Sequence, residues 1–365
     1  MEFREGKVQN PDLAEVVDTV KRCIKTYDIV VTPLDLYFYY FPDDNPDLHE
    51  CFESIRMELV PKGYIPFLSE ETERFIVVRH RPEEKYRSSK VNIVLFILTL
   101  ASTIYVGSQF SLSFIRPGPL RDLDAIMYGF VFFSGPLLLI LGIHEIGHYI
   151  VARRYSVKAS FPFFIPVPIS IGTFGAFISL RDPIPNRKAM VEIGAAGPIF
   201  GFLVALPLLF VADYFQRVFV PIYIPANPLV VQFPLIYHLF GIIPKSLIPP
   251  VSAPIFPMEL AVWVGMFATA LNLIPISQLD GGHVSRGMLG RRSYIVSYIF
   301  LGAMLYFALQ YTGWIIIVLL AVLMGISHPP PLNDYQKLSM RDYAIGACVL
   351  AMFILTFTIT PIISG

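Results

Sequence analysis

His144 and His148 stand one helical turn apart with Glu145 between them, in a stretch, residues 135–152, that is otherwise almost wholly apolar. Residues i and i+4 share a helix face, so both imidazoles can reach one metal ion, while Glu145 lies beside them to take a proton from water at that ion. The alternative, stray polar residues in an apolar helix, is disfavoured by energy. Ionisable groups in a bilayer cost roughly 2.5–3.5 kcal/mol each on insertion scales, and a metal with a polar cavity supplies the compensation that chance placement does not. The trio therefore predicts a metallohydrolase whose active site lies inside a membrane.

A catalytic zinc commonly takes three protein ligands and leaves a fourth position open, so a third donor must come from elsewhere. Asp280 is the leading candidate, in Asn272-Leu-Ile-Pro-Ile-Ser-Gln-Leu-Asp280-Gly-Gly-His283. His148 lies five residues before Arg153, so at about 1.5 Å per residue the ion would sit on the order of 10 Å inside the cytoplasmic boundary. Asp280 can match that depth. Pro275 interrupts the helix before it and Gly281 and Gly282 release the backbone after it, which suits a ligand delivered from an unwound helix end. Asp-Gly-Gly is also an ordinary turn signature, and His283, on the same side as His328, is the second candidate ligand. His238 and Asp213 fall on the opposite side, and Glu192 and Glu259 are single acids near span starts.

The two motifs in this order, His144-Glu-Ile-Gly-His148 and Asn272-Leu-Ile-Pro-Ile-Ser-Gln-Leu-Asp280-Gly, resemble the site-2 protease family of intramembrane zinc metalloproteases, whose signatures are H-E-x-x-H and N-x-x-P-x-x-x-L-D-G. The likeness covers roughly residues 91–327. It implies His144, His148 and Asp280 as ligands of one catalytic Zn2+, Glu145 as the catalytic base, and Asn272 as a polar group near the oxyanion or substrate backbone. Read alone, Asn272 would serve equally well in an interhelical hydrogen bond. Between the histidine helix and the next span, residues 159–185 are punctuated by proline and rich in aromatic and β-branched residues, which predicts strands or a membrane-associated hairpin. Within it Gly172, Thr173, Phe174, Gly175, Ala176 and Phe177 look like the family's strand beside the active site, and an exposed strand edge can bind an extended peptide through main-chain hydrogen bonds. Gly194, Gly197 and Gly201 read as close helix packing. The loops leave no room for the family's PDZ or CBS domains. An amino-terminal domain takes their place, as in plant-chloroplast and prokaryotic branches that this chain resembles.

The elements that must position these residues follow from composition. Hydrophobic residues make up 55% of the chain and charged residues 15%, with a mean hydropathy of +0.60, which places it outside ordinary soluble domains. A net charge of zero gives no sign of a nucleic-acid partner. Apolar stretches near the length needed to cross a bilayer fall at 91–111, 126–152, 190–213, 257–277, 293–309, 313–327 and 342–363, six or seven spans depending on whether the two short neighbours both cross. Residues 229–243, broken by Pro234, read as re-entrant or surface-lying. Lys and Arg favour cytoplasmic loops, and Arg79, Arg81, Lys85, Arg87 and Lys90 put the amino terminus inside; alternation then places Arg153, Arg154, Arg187, Arg291 and Arg292 inside as well. The fold class expected is a polytopic α-helical membrane protein with a membrane-associated β-hairpin and a small α+β soluble domain.

Residues 1–88 are charged and periodic, and form that soluble cytoplasmic domain, regulatory or gating in role; residues 89–365 form the transmembrane metalloprotease domain. Asn10-Pro11 and Asn45-Pro46 look like helix starts, each followed by amphipathic spacing. Leu34, Leu36, Phe38 and Tyr40 alternate as a strand, and residues 63–80 read as two strands around a turn at Glu70 to Thr72. Cys23, Cys51 and Cys348 have no paired spacing and are expected to be reduced. No signal peptide is expected at the polar amino terminus, which leads to a multi-pass plasma-membrane protein with its active site toward the cytoplasm. Its partners are transmembrane protein substrates and the lipid bilayer. The activity expected is hydrolysis of peptide bonds within or near transmembrane segments. A divalent-metal transporter, or an inactive scaffold that binds membrane helices, is the alternative.

Overall fold

A computed structural model describes residues 11–70, 74–81, 89–169, 171–224, 230–242 and 254–363. Proline is tolerated in a first helical turn because no N–H is lost there, and Pro11 opens α1 (Pro11–Lys21), which buries Val16 and Val20. Its expected cap, Asn10, lies outside the described residues. β1 (Thr26–Val31) and β2 (Asp35–Tyr40) form a hairpin in which Leu36, Phe38 and Tyr40 alternate into the core. α2 (Leu48–Leu59) buries Phe52, Ile55 and Leu59. It starts later than the Asn45-Pro46 signal implies, because Asn45 is committed elsewhere. Its side chain accepts from the Lys25 N–H at 2.8 Å and donates to the carbonyls of Lys25 and Phe41 at 3.1 and 2.9 Å. β3 (Tyr64–Glu70) and β4 (Arg74–His80) pair antiparallel and complete a sheet of order β1-β2-β4-β3. Residues 71 and 72 of the expected turn lie outside the described residues.

Cys23 and Cys51, expected to be reduced, form a disulfide across 28 residues of sequence. That spacing matches no motif. Only the packing of the end of α1 beside α2 brings the two sulfurs together.

The apolar part begins with α3 (Ser89–Ser111), α4 (Arg121–Tyr128), a π-helical turn at 129–134 and α5 (Gly135–Arg154). β5 (Phe163–Pro166) and β6 (Thr173–Phe177) form an antiparallel hairpin, followed by α6 (Arg187–Val218). β7 (Val230–Val231), α7 (Leu235–Leu239), α8 (Pro257–Asn272), α9 (Asp280–Leu289), α10 (Ser293–Phe307), α11 (Trp314–Met324), α12 (Met340–Thr356) and β8 (Ile362–Ile363) complete the chain. β7 pairs with β8, and the five-residue α7 buries Ile236 and Tyr237 against the helical core, so the stretch around Pro234 packs on the bundle and does not cross it.

Among the described residues, three helices are long and apolar enough to cross a membrane: Lys90–Phe114, Arg121–Arg154 and Arg187–Val218. They coincide with the first three expected spans. The other four expected spans are helices of 16, 15, 11 and 17 residues, shorter than the roughly 20 residues that a full crossing takes. The count of six to seven is therefore not reproduced by helix length. α6 is the hub of the bundle, packed against α5, α8, α9 and α12.

The amino-terminal α+β region is bonded to the end of this bundle where α5 ends and α6 begins. Leu332 is buried in the core of that amino-terminal region. Its carbonyl accepts from the Leu68 N–H of β3 at 2.9 Å, while the N–H groups of Leu332 and Asn333 donate to the carbonyls of Ile184 and Pro185 at 3.0 and 2.9 Å. One extended segment thus links the free edge of the sheet to the chain leading into α6. Arg56, 1% exposed, donates to the carbonyl of Tyr155 at 3.0 Å, just past the end of α5. Arg81 pairs with Asp182 at 3.4 Å.

Replacing Arg56 by Met keeps the aliphatic bulk and removes that donor, a charged hydrogen bond of about 1.5–3 kcal/mol. We expect faster amide exchange at Leu68 and Leu332 in hydrogen-exchange measurements, the sheet core of β2 and β4 staying protected. Unchanged exchange at the two leucines would show that Arg56 does not hold the domain in place.

Candidate active site

The apolar run that makes α5 a membrane-grade helix also sets its polar trio at fixed angular spacing. His144, Glu145 and His148 are all buried, at 3%, 4% and 6% exposure. Asp280, the first residue of α9, reaches them from another part of the chain. His144 Nε2 and Asp280 Oδ2 are 3.1 Å apart, His148 Nε2 and Asp280 Oδ2 are 3.2 Å apart, and the two Nε2 atoms are 3.3 Å apart. Ligand atoms about 2.0 Å from a tetrahedral ion lie about 3.3 Å from one another. The three atoms therefore form one nearly regular face of the tetrahedron that zinc prefers, and the set of two imidazoles and one carboxylate fits that ion. His148 Nδ1 lies 2.7 Å from the Ile193 carbonyl of α6. A carbonyl only accepts, so the proton sits on Nδ1 and the Nε2 lone pair points to the site. Glu145 Oε1 is 4.0 Å from His144 Nε2, beside the face and not part of it.

α6 carries the feature that lets this cluster exist. A Cβ on Gly197 would fall 2.0 Å from His148 Nε2, and one on Gly201 would fall 3.2 Å from His144 Nδ1. A Cβ on Gly194 would meet the Asp280 carbonyl at 3.0 Å and His283 Cβ at 2.6 Å. Spaced three and four residues apart, these glycines form one stripe of the helix, and each clears room for one part of the site. Sequence reading took them as packing alone. Their coincidence with a predicted ligand helix was the signal available, and the Ile193 carbonyl gave none. Pro198 lies among them, between Gly197 and Gly201; it has no N–H, so the Gly194 carbonyl loses its helical donor.

Asn272, the last residue of α8, puts Nδ2 3.4 Å from His144 Nε2, so both motifs meet at one point. Asp280 is not at an unwound helix end as expected: it starts α9, and Gly281 and Gly282 are helical. Their role is close approach, since Cβ atoms there would fall 2.0 Å from the Leu273 carbonyl and 2.2 Å from the Ser277 carbonyl. His283, the second candidate ligand, is not part of the triad and packs on His328, ring centroids 4.2 Å apart.

Gly172 precedes β6 with φ +85°, a conformation that side chains rarely adopt, and its carbonyl accepts from Ser102 of α3 at 2.8 Å. Thr173 and Ala176 are buried, Phe174 and Phe177 exposed, and Gly175 has φ +109°. β5 covers one edge of β6, and β6 packs against α3 and α5, the helix of the histidines.

Gly197→Ala would push a methyl group into the ring of His148. We expect the purified variant to retain its helical circular-dichroism signal and to lose its metal, read as zinc per chain by mass spectrometry. A variant with a full complement of zinc would show that the glycine stripe does not shape the site.

Residues 132–310 match Peptidase family M50. The chain is 27% identical over 294 residues to the probable zinc metalloprotease EGY1, chloroplastic, of Arabidopsis thaliana, covering 73% of this chain and 52% of that protein. It is 32% identical over 164 residues to the probable zinc metalloprotease EGY2, chloroplastic, of the same plant, covering 42% and 28%. It is 31% identical over 219 residues to the plant's probable zinc metallopeptidase EGY3, chloroplastic, covering 55% and 36%. The chain thus spans about half the length, or less, of the curated relatives it matches. His144, His148, Asp280 and Asn272 all lie inside the segment that matches Peptidase family M50.

Proposed function

We propose that this protein is an intramembrane zinc metalloprotease that hydrolyses peptide bonds within or near transmembrane segments of membrane-protein substrates. The observation that carries the reading is a buried triad of His144, His148 and Asp280 with Glu145 4.0 Å away, on a helix whose surroundings are apolar. When bound, zinc supplies Lewis acidity that acidifies water and polarises a carbonyl. Glu145 is the general base: it takes the proton of the attacking water and delivers it to the amide nitrogen as the C–N bond breaks. Asn272 Nδ2, at the same point, donates to the carbonyl oxygen as negative charge develops there.

β6 supports the substrate assignment. A transmembrane helix must be unwound before its peptide bonds can be attacked, and pairing of the exposed chain with the free edge of Gly172–Phe177 would hold it extended. α8, α10, α11 and α12 complete the membrane domain in this reading. The exposed Ile295, Ile299, Ile316, Leu320 and Leu350 on the last three would face lipid. The soluble domain, bonded at the end of α5 about 10 Å from the triad, would govern access to it. The chain is a membrane protein; the plasma membrane expected from sequence finds no support in relatives named as chloroplastic.

Detergent-purified full-length chain incubated with a tagged transmembrane peptide tests the reading. Wild type should cleave, a chelator should stop cleavage and zinc restore it. Glu145→Gln should retain zinc and lose at least about 10²–10⁴-fold in rate, the range of general acid–base catalysis. Zinc binding with no cleavage of a varied substrate panel, together with metal uptake by proteoliposomes, would favour a transporter instead.

Asn272→Ala should lower kcat by roughly 10²–10³ with little change in KM, as loss of an oxyanion donor does. An unchanged kcat would return Asn272 to a purely structural role.

A further inference from the structure

His283 and His328 are unused by the chemistry above, yet they lie side by side and are held alike. Their rings pack edge to face with centroids 4.2 Å apart. His283 Nδ1 lies 3.1 Å from the Leu279 carbonyl and His328 Nδ1 lies 2.7 Å from the Pro329 carbonyl. Because a carbonyl only accepts, both neutral rings carry their proton on Nδ1 and keep a lone pair on Nε2. That is the tautomer a metal-binding imidazole needs, fixed by the kind of backbone partner that ligating histidines use. His148 in the triad is held in the same way, by the Ile193 carbonyl. His328 Nε2 is buried and has no hydrogen-bond partner.

The pair also connects a cavity to the helix that carries Asp280. His328 lines a cavity of about 490 Å³ between β3 of the soluble domain and the α9–α10 end of the membrane domain. Arg286, in the wall of that cavity, is neutralised by Asp334 through two bonds of 2.6 and 3.0 Å, which removes one source of repulsion for a cation. His283 sits one turn beyond Asp280 on α9, and the missing side chain of Gly194 lets α6 approach both closely.

We propose that His283 and His328 form a second, weaker site for a divalent transition-metal ion, through which zinc passes from this cavity to the triad. The proposal rests on zinc being the ion of the triad. Two neutral imidazoles, with water completing the coordination, hold a first-row divalent ion. Without a carboxylate they balance none of its charge, so the ion is released downhill to the site containing Asp280.

The test uses metal-free full-length chain in detergent, titrated with Co2+ as a visible probe and mixed rapidly with sub-stoichiometric Zn2+. Wild type should take up one ion tightly and a second at least tenfold more weakly. His328→Ala should abolish the weak step and slow loading of the tight site at least tenfold, and His328→Cys, which restores a donor, should recover both. The double variant His144→Ala/His148→Ala should lose the tight step and keep the weak one. Equal stoichiometry and loading rate in wild type and His328→Ala would overturn the proposal and leave the pair as packing. A wild type showing the weak step without the tight one would support the pair and overturn the triad reading instead.

Discussion

The close approach of α6 to α5 is the constraint on which this molecule is built. Two imidazoles and a carboxylate buried in an apolar bundle are unfavourable unless they share a cation, and they can share one only if nothing else occupies the space between helices. Gly197 and Gly201 provide that space by having no side chain where the rings of His148 and His144 stand. Gly147 of α5 returns the arrangement, since a Cβ there would meet the Ala196 carbonyl at 2.8 Å. The small residues bring the backbones together as in other membrane helix pairs, with the difference that the volume they free is filled by ligands.

Once α6 is fixed in this way, the remaining parts fall into position around it. Its Ile193 carbonyl sets the tautomer of His148, its Gly194 admits the first turn of α9, and α9 delivers Asp280. Its amino-terminal end is capped by Asn186, whose side chain accepts from the Ala189 N–H at 2.8 Å. The residues just before that cap, Ile184 and Pro185, are bonded to the segment that also extends the edge of the soluble domain's sheet. A single hydrogen-bonded strip therefore joins the soluble domain to the helix that shapes the site. This gives the domain a direct mechanical connection to α6, two turns from Ile193.

Much of this was legible in the residues. His144, Glu145 and His148 announce themselves because helical spacing converts three sequence positions into one face, and because their cost in a bilayer demands a reason. Asp280 was legible through depth and motif order. The long apolar helices α3, α5 and α6 and the alternation in β2 were read correctly, since burial imposes its period on sequence. Local signals failed where tertiary partners outbid them. Asn45 reads as a helix cap but spends its amide on Lys25 and Phe41, and Cys23 and Cys51 carry no spacing that foretells their bond. The glycines after Asp280 read as a turn, whereas α9 uses them to approach the 273–277 loop.

Sequence by itself determined the chemistry on offer: the donor types, the carboxylate between the two histidines, the apolar setting and a charged amino-terminal α+β region. These depend on residue identity and on periodicities of a few residues, which any window of the chain contains. Tertiary structure alone decided that the three donor atoms lie 3.1–3.3 Å apart, that His283 turns toward His328, that the glycine stripe faces the imidazoles, and that Leu332 enters the soluble core. Such facts join positions separated by tens to hundreds of residues. They follow from which helix faces fit together without steric conflict, and that is a property of the packed chain as a whole.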